Sequence, residues 1–144
     1  MTTERHKQQK QESAARIYAA DPERARRQWR EYHRSPKGTA TALLNYARDR
    51  AIKGTLPFDI DHEFVAAKLA IGLCEVSGLP VQRVAPGNYR THPFAPSLDR
   101  IIPSLGYTKT NTRLVLFAVN RAMSDWGEGV LIEIAKAIVT KQPR

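Results

Sequence analysis

The chain has 144 residues and a formal net charge of +9, with 42% hydrophobic and 26% charged residues. This length suits one domain with its own core, and no apolar run approaches the roughly 20 residues that span a bilayer. Residues 1 to 10 lack the apolar segment of a secretory signal, and the single cysteine, Cys74, excludes an internal disulfide or a zinc site built from several cysteines. We therefore expect a cytoplasmic protein without a membrane partner.

Positive charge is concentrated in the N-terminal third of the chain. Residues 1 to 54 carry 13 Lys and Arg against 6 Asp and Glu, a net +7, whereas residues 55 to 144 carry a net +2. Such a segment either binds phosphates, with release of counterions, or is a solvated charged helix, and charge by itself leaves both open. The candidate nucleic-acid contacts are Arg26, Arg27, Arg30, Arg34, Lys37, Arg48 and Arg121.

The N-terminal half is predicted to be helical. Residues 1 to 20 are polar and are expected to fray or to form a loosely held helix. Asp21 followed by Pro22 is typical of a helix N-terminus, which predicts a helix over residues 22 to 33. Breaks at residues 35 to 38 and at Gly54 precede two further helices, predicted over residues 39 to 53 and 62 to about 73.

The segment Asp59-Ile60-Asp61-His62 allows two interpretations. Two carboxylates and an imidazole within four residues have the chemistry of a divalent metal site. Acidic residues directly before an apolar periodic run also cap a helix and complement its dipole. The position before the run favours capping by Asp59 or Asp61.

The C-terminal half combines strand and helix patterns. Residues 86 to 93 are predicted to be an irregular loop, because glycine and proline are frequent there. Residues 94 to 102, once past Pro96, and residues 112 to 116 are predicted strands, joined by a turn over residues 103 to 107. Helical periodicity follows from Phe117 to near Ser124 and again over residues 128 to 140. The fold class is therefore predicted to be α+β.

A set of spaced motifs lies on this predicted strand–turn–strand–helix unit. Asp99-Arg100-Ile101-Ile102-Pro103 is followed by Gly106, Asn111 and Asn120. The order resembles that of HNH endonucleases, in which Asp-His-Ile ends the first strand, an Asn opens the second, and an Asn or His follows on the helix. Three longer motifs, Cys-x-x-Ser-Gly-Leu-Pro, Pro-Phe-Ala-Pro-Ser-Leu-Asp-Arg-Ile and Gly-Tyr-Thr-x-x-Asn, together resemble a phage and prophage subgroup. The likeness spans about residues 38 to 138.

The resemblance implies an architecture and an activity. Residues 37 to 144 would form a mostly helical HNH-like nuclease domain around a ββα-metal core, and residues 1 to 36 a basic, partly flexible helical arm. The implied activity is DNA cleavage that depends on Mg²⁺ or Mn²⁺, with RNA the less favoured substrate, in the cytoplasm of a bacterial host. Asp99 and Asn120 would bind the metal, and Asn111 would order the loop. The sequence leaves the oligomeric state open.

Structural zinc, which many HNH proteins contain, is not expected here. Cys74 stands where the first Cys-x-x-Cys pair would be, while Leu116 and Val119 occupy the positions of the second. Cys74 is then expected to be a small buried residue. Packing must replace the metal, and the residues expected to supply it are Leu114, Leu116, Phe117, Trp126 and the last helix.

Each of the motif residues also has an ordinary structural interpretation. Asp99 can pair with a nearby arginine, Asn111 can be a turn residue, and Asn120 can cap the helix that starts nearby. Their shared spacing favours the functional interpretation over these separate roles.

Arg100 departs from the family pattern, which has a histidine there as the general base. A guanidinium with a pKa above about 12 does not accept a proton at neutral pH. Three interpretations stay open: Arg100 binds the scissile phosphate while the metal activates the water, another residue is the base, or the chain binds DNA without cutting it.

His92 is the candidate for a substitute base. Seven extended residues would separate it from Asp99 by roughly 23 Å, so it serves only if the chain doubles back. Strand alternation also sends Asp99 and Arg100 to opposite faces, unless the strand ends, twists or bulges there.

Overall fold

The structure, a computed structural model, describes residues 2 to 82 and 92 to 141. This part of the chain is mostly helical and contains a two-stranded antiparallel sheet, so the predicted α+β class is confirmed. The predicted loop over residues 86 to 93 lies largely outside the described residues. In chain order the elements are α1 (Thr2–Ala20), α2 (Pro22–Arg34), α3 (Pro36–Gly54), α4 (His62–Ile71), β1 (Pro96–Arg100), β2 (Thr112–Leu116), α5 (Phe117–Met123) and α6 (Gly127–Lys141).

The N-terminal helices begin at side-chain caps. Asp21 accepts a hydrogen bond from the Arg24 amide at 2.9 Å, which confirms the predicted start of α2. The break before α3 is shorter than predicted, because Ser35 both ends α2 and caps α3 by accepting from the Gly38 amide at 3.0 Å. Pro36 then starts α3, since its fixed φ suits the first helical position.

Asp61 is the cap of α4. Its carboxylate accepts from the Phe64 amide at 2.8 Å, whereas Asp59 accepts from the amide of Lys109, far away in sequence, at 2.7 Å. Capping is thus confirmed for Asp61. Within the described ranges, no group of three or more His, Cys, Asp and Glu residues could hold a metal ion. None of the helices in these ranges combines the length and apolar character needed to cross a membrane.

The main core lies between α3, α4 and the hairpin of β1 and β2. In the hairpin, Leu98 lies opposite Leu114 and Asp99 opposite Arg113. The two leucines are buried against the apolar faces of the two helices. The buried residues of this cluster are Ala40, Leu44, Ala47, Ala51, Ile60, Val65, Leu69, Leu98, Tyr107 and Leu114.

A second, smaller cluster lies on the other side of β2. It contains Cys74, which is 2% exposed, with Val115, Leu116 and Met123. The prediction that Cys74 is a small buried residue is therefore confirmed. The predicted packing of Trp126 is wrong, because this side chain is 71% exposed. α6 likewise contains no buried residue, since it contacts mainly the short helix α5.

Candidate functional site

A cleft of about 540 Å³ opens between α3, β1 and α5. Four of the residues singled out in the sequence lie in its wall, namely Asp99, Arg100, Asn120 and Arg121. Tyr46 and Arg50 contribute to it from α3. The walls of the cleft are therefore formed by the end of the hairpin and by a helix that is distant from it in sequence.

Asp99 and Arg100 line the same cleft although they are consecutive residues. Both belong to β1, where Asp99 lies opposite Arg113 and Arg100, the last residue of the strand, lies opposite Thr112. The guanidinium of Arg100 donates from Nη1 to the Pro103 carbonyl at 3.1 Å and lies 5.3 Å from the centre of the Tyr107 ring. These contacts hold the Arg100 side chain beside the cleft.

The carboxylate of Asp99 pairs with the arginine opposite it on β2. Arg113 donates from Nε to Asp99 Oδ2 at 2.8 Å and from Nη1 to Glu128 Oε2 at 2.5 Å. Burial of Arg113 opposes its charge, but these two bonds outweigh burial and raise its pKa. Among the described residues, Asp99 Oδ1 accepts no hydrogen bond. The pairing thus occupies one carboxylate oxygen and leaves the other available.

Asn120 connects α5 to β1. Its Nδ2 donates to Ser97 Oγ at 2.8 Å and to the Leu98 carbonyl at 3.2 Å, which fixes the orientation of the amide. α5 begins after Leu116 without a side-chain cap, so the alternative that Asn120 caps this helix is wrong. Its Oδ1 accepts no hydrogen bond from the described part of the chain.

Asn111 lies behind the cleft and holds the connection between the two strands. It is buried, with 4% of its surface exposed. Its Oδ1 accepts from the Ile102 amide at 2.9 Å, and its Nδ2 donates to the carbonyls of Ile102 at 2.9 Å and Gly106 at 2.8 Å. The turn after β1 contains Pro103, whose carbonyl accepts the hydrogen bond from Arg100. Because Asn111 holds this turn, it supports the position of Arg100 indirectly.

The donor atoms of the cleft fit a hard divalent cation. A carboxylate oxygen of Asp99 and the amide oxygen of Asn120 are the ligand types that Mg²⁺ and Mn²⁺ prefer. Mg²⁺ is usually bound through one or two carboxylates and keeps several waters. Among the described residues that line the cleft there is no cysteine or histidine, the usual zinc ligands.

His92 is not brought into the cleft. Its Nδ1 accepts from the Phe94 amide at 3.3 Å, and its ring lies 6.3 Å from the Phe94 ring. It is not among the residues that line the cavity. The structure therefore offers no geometry in which His92 contacts Asp99.

The predicted phosphate contacts fall into two groups. Arg121 lies in the cleft, whereas the other six residues do not line it. The four candidate arginines of α2 and Lys37 are exposed, and Arg26 donates to the Tyr18 hydroxyl at 3.1 Å. Arg48 lies over the Phe58 ring, 5.4 Å from its centre.

Arg50 is a cleft residue that the sequence did not single out. Residues 48 and 50 are two positions apart, so they flank the buried face of α3 on opposite sides. Helical periodicity locates that buried face from Leu44, Ala47 and Ala51. It does not tell which flank meets the hairpin, so both arginines are equivalent in the sequence.

The cleft carries uncompensated positive charge. Within the described ranges, Arg50, Arg100 and Arg121 form no ion pair with a carboxylate, and Asp99 is paired with Arg113. Asp125 is the remaining carboxylate in its wall. Guanidinium groups gathered in a concave site favour an anion, and their planar donors match phosphate oxygens.

Comparisons with protein-family models, with curated proteins and with solved structures found no match. The chemistry of the cleft is therefore the basis on which a function is assigned.

Proposed function

We propose that the protein is a metal-dependent endonuclease of the HNH type that hydrolyses DNA phosphodiester bonds. One observation carries this proposal: hard-oxygen donors of Asp99 and Asn120 line the same cleft as the guanidinium groups of Arg100 and Arg121, which form no ion pair with a carboxylate of the described residues. Phosphodiester hydrolysis needs both a cation site and neutralisation of phosphoryl charge. The spacing of the motifs resembles that of phage nucleases. This resemblance is the reason that we propose DNA as the substrate and a bacterial host.

Each side chain then has a distinct task. Asp99 and Asn120 would hold the metal, and Arg113 fixes the Asp99 carboxylate by donating to its Oδ2. A divalent cation supplies Lewis-acid stabilisation of phosphoryl charge and lowers the pKa of water. Arg100 donates to the non-bridging oxygens of the scissile phosphate, and its bond to Pro103 holds the guanidinium in place. Asn111 orders the turn on which that bond depends.

The N-terminal helices supply the wider DNA contact in this proposal. Residues 1 to 36 form the basic arm, and residues 37 to 144 form the nuclease domain. The exposed arginines of α2 neutralise phosphates outside the cleft, with release of counterions. Such contacts hold DNA irrespective of its sequence.

A second candidate is a non-catalytic DNA-binding module on the same scaffold. The observation that favours it is that none of the described residues in the cleft wall is a histidine, the side chain that commonly acts as a general base near neutral pH. This candidate predicts DNA affinity with a steep salt dependence but no cutting.

A plasmid cleavage assay distinguishes the endonuclease from the non-catalytic binding module. Purified protein is incubated with supercoiled plasmid and Mg²⁺ or Mn²⁺, and nicked and linear products are measured. Asp99→Ala is expected to reduce cleavage to background, and Asp99→Asn, which can still accept from Arg113, is expected to do the same because it lacks the anionic oxygen. Glu133→Ala removes an exposed carboxylate on α6 and is the matched control.

The outcomes are distinct. Cleavage lost in both Asp99 variants but kept in the control supports the nuclease. DNA binding without metal-dependent cutting by the wild type supports the binding module instead. Cleavage by Asp99→Asn at the wild-type rate contradicts the role given to Asp99.

A further inference from the structure

Arg50 reaches the cleft from outside the hairpin and α5. It lies on α3, and its guanidinium carbon is 6.0 Å from the centre of the exposed Tyr46 ring, which lines the same cleft. Within the described ranges it pairs with no carboxylate. A charged group that is oriented by an aromatic ring and left without a counterion is available to an anionic ligand.

The position of Arg50 is fixed by the main core. Its neighbours on α3, Ala47 and Ala51, are each 2% exposed and belong to the buried face of that helix. A side chain that starts from a packed helix is placed more precisely than one on a loop. The distance between Arg50 and the end of β1 is therefore set by core packing.

Arg50 and Arg100 approach one region of the cleft from two elements. Tyr107 lines the same cleft as both arginines and is buried, and burial is the main reason that its pKa is raised. The positive charges of Arg50 and Arg100 both act against this rise. Two like charges in the wall of one cleft repel each other, and an anion bound there relieves the repulsion.

We propose that Arg50 binds a DNA phosphate next to the one held by Arg100, so that α3 forms a second wall of the substrate site. This inference rests on the proposed function for the identity of the substrate. It adds a phosphate-binding residue that the hairpin motif does not contain. The DNA strand bound in the cleft is then contacted on both sides, by α3 and by the end of β1.

Binding measured without divalent cation tests the inference separately from cleavage. Fluorescence anisotropy of a short labelled DNA duplex is followed at several salt concentrations for the full-length wild type, Arg50→Gln, Arg50→Lys and Lys136→Gln. Lys136 is exposed on α6, so its variant removes one charge of the same sign away from the proposed contact. Thermal unfolding of each variant monitors the fold.

Arg50→Gln is expected to weaken binding by about fivefold to tenfold at low salt and to reduce the slope of log K against log salt by about one. Lys136→Gln is expected to bind like the wild type. Arg50→Lys keeps the charge and is expected to recover the slope. A role of Arg50 in packing alone would lower the unfolding temperature without this change of slope.

Two results would overturn the inference. If Arg50→Gln binds as tightly as the wild type, Arg50 is not a phosphate contact, even where plasmid cleavage supports the nuclease. If Arg50→Lys fails to recover the slope, charge is not what Arg50 contributes. A wild type that binds no DNA overturns both this inference and the proposed function.

Discussion

The protein has a central unit, formed by α3, α4 and the hairpin of β1 and β2, and a periphery, formed by α2 and α6. The two parts differ in how much side-chain surface they bury. α3 buries six residues and packs with α4 and the hairpin, whereas α2 and α6 bury none. The periphery is nevertheless regular helix over its whole length. Local signals, such as the Asp21 cap, are enough to start a helix there, but they do not provide a surface against which it packs.

This difference bears directly on the candidate site. Asp99, Arg100, Asn120 and Arg50 all belong to elements that touch the central unit, so the geometry of the cleft depends on the buried cores. The arginines of α2 lie on a helix without buried side chains. We expect the cleft to persist when the periphery is perturbed.

The largest expected effect is the loss of core packing in the central unit. Leu114 is fully buried at the middle of β2, so Leu114→Ala is expected to lower the free energy of unfolding by about 3 kcal/mol, through lost burial and a cavity. Ile138→Ala on α6, where Ile138 is 54% exposed, is expected to change it by less than about 0.5 kcal/mol. Urea unfolding measures both. Similar losses in the two variants would show that α6 is packed after all.

The connection between the strands should be the next most sensitive region. Asn111→Ala removes three hydrogen bonds and leaves the Ile102 amide and the buried Gly106 carbonyl without these partners, which is expected to cost about 2 kcal/mol. The Ile102 carbonyl keeps its hydrogen bond from the Leu105 amide. Cleavage should also fall, because the turn holds Arg100. Asn45→Ala, an exposed position on α3, is the control and is expected to be near neutral. Wild-type stability in Asn111→Ala would contradict the supporting role.

Local chemistry explains which elements could be predicted from sequence. The β-branched and aliphatic run of β2 was predicted with its observed bounds, Thr112–Leu116. Asp21 and Asp61 were identified as caps because a cap acts on amides only three residues away. β1 ends at Arg100, two residues before the predicted end at Ile102.

Contacts between distant elements explain what could not be predicted. Arg48 and Arg50 look alike in the sequence, and the side of α3 on which the hairpin packs decides which one lines the cleft. Asp59 accepts from the Lys109 amide, 50 residues away, and no local pattern indicates that partner. The apolar positions of α6 predict an amphipathic helix correctly, but its burial needs a partner surface that periodicity does not report.

The junction of α2 and α3 offers a way to disturb the periphery alone. Gly38 is buried there, and a Cβ at this position would collide with the Tyr32 carbonyl, which belongs to α2. Gly38→Ala is therefore expected to displace α2 and to cost about 1–2 kcal/mol, less than Leu114→Ala. Limited trypsin digestion should show faster cleavage at the α2 arginines.

Gly129→Ala on α6 is the matched control, because a Cβ there meets nothing within 4 Å. Alanine has the higher helix propensity, so this variant is expected to be neutral or more stable by up to about 1 kcal/mol. An unchanged digestion pattern in Gly38→Ala would mean that α2 accommodates the methyl group without moving, and the periphery would then be less separable than we infer.

The smallest expected effect concerns an exposed ion pair at the edge of the central unit. The side-chain hydrogen bond from Lys109, followed by the Phe64 amide, lowers the pKa of Asp61 below its ordinary value of 3.8. Because the folded-state pKa is depressed, this carboxylate stabilises the fold above its unfolded pKa, and the contribution is lost as pH falls through the folded pKa.

Asp61→Asn keeps an acceptor for the cap but removes the charge. Its urea midpoint should therefore decline less than that of the wild type between about pH 6 and about pH 3. Added salt should narrow the difference, because exposed pairs are screened. Equal declines would show that Asp61 contributes to the central unit as a neutral cap alone, and that its pairing with Lys109 adds nothing to stability.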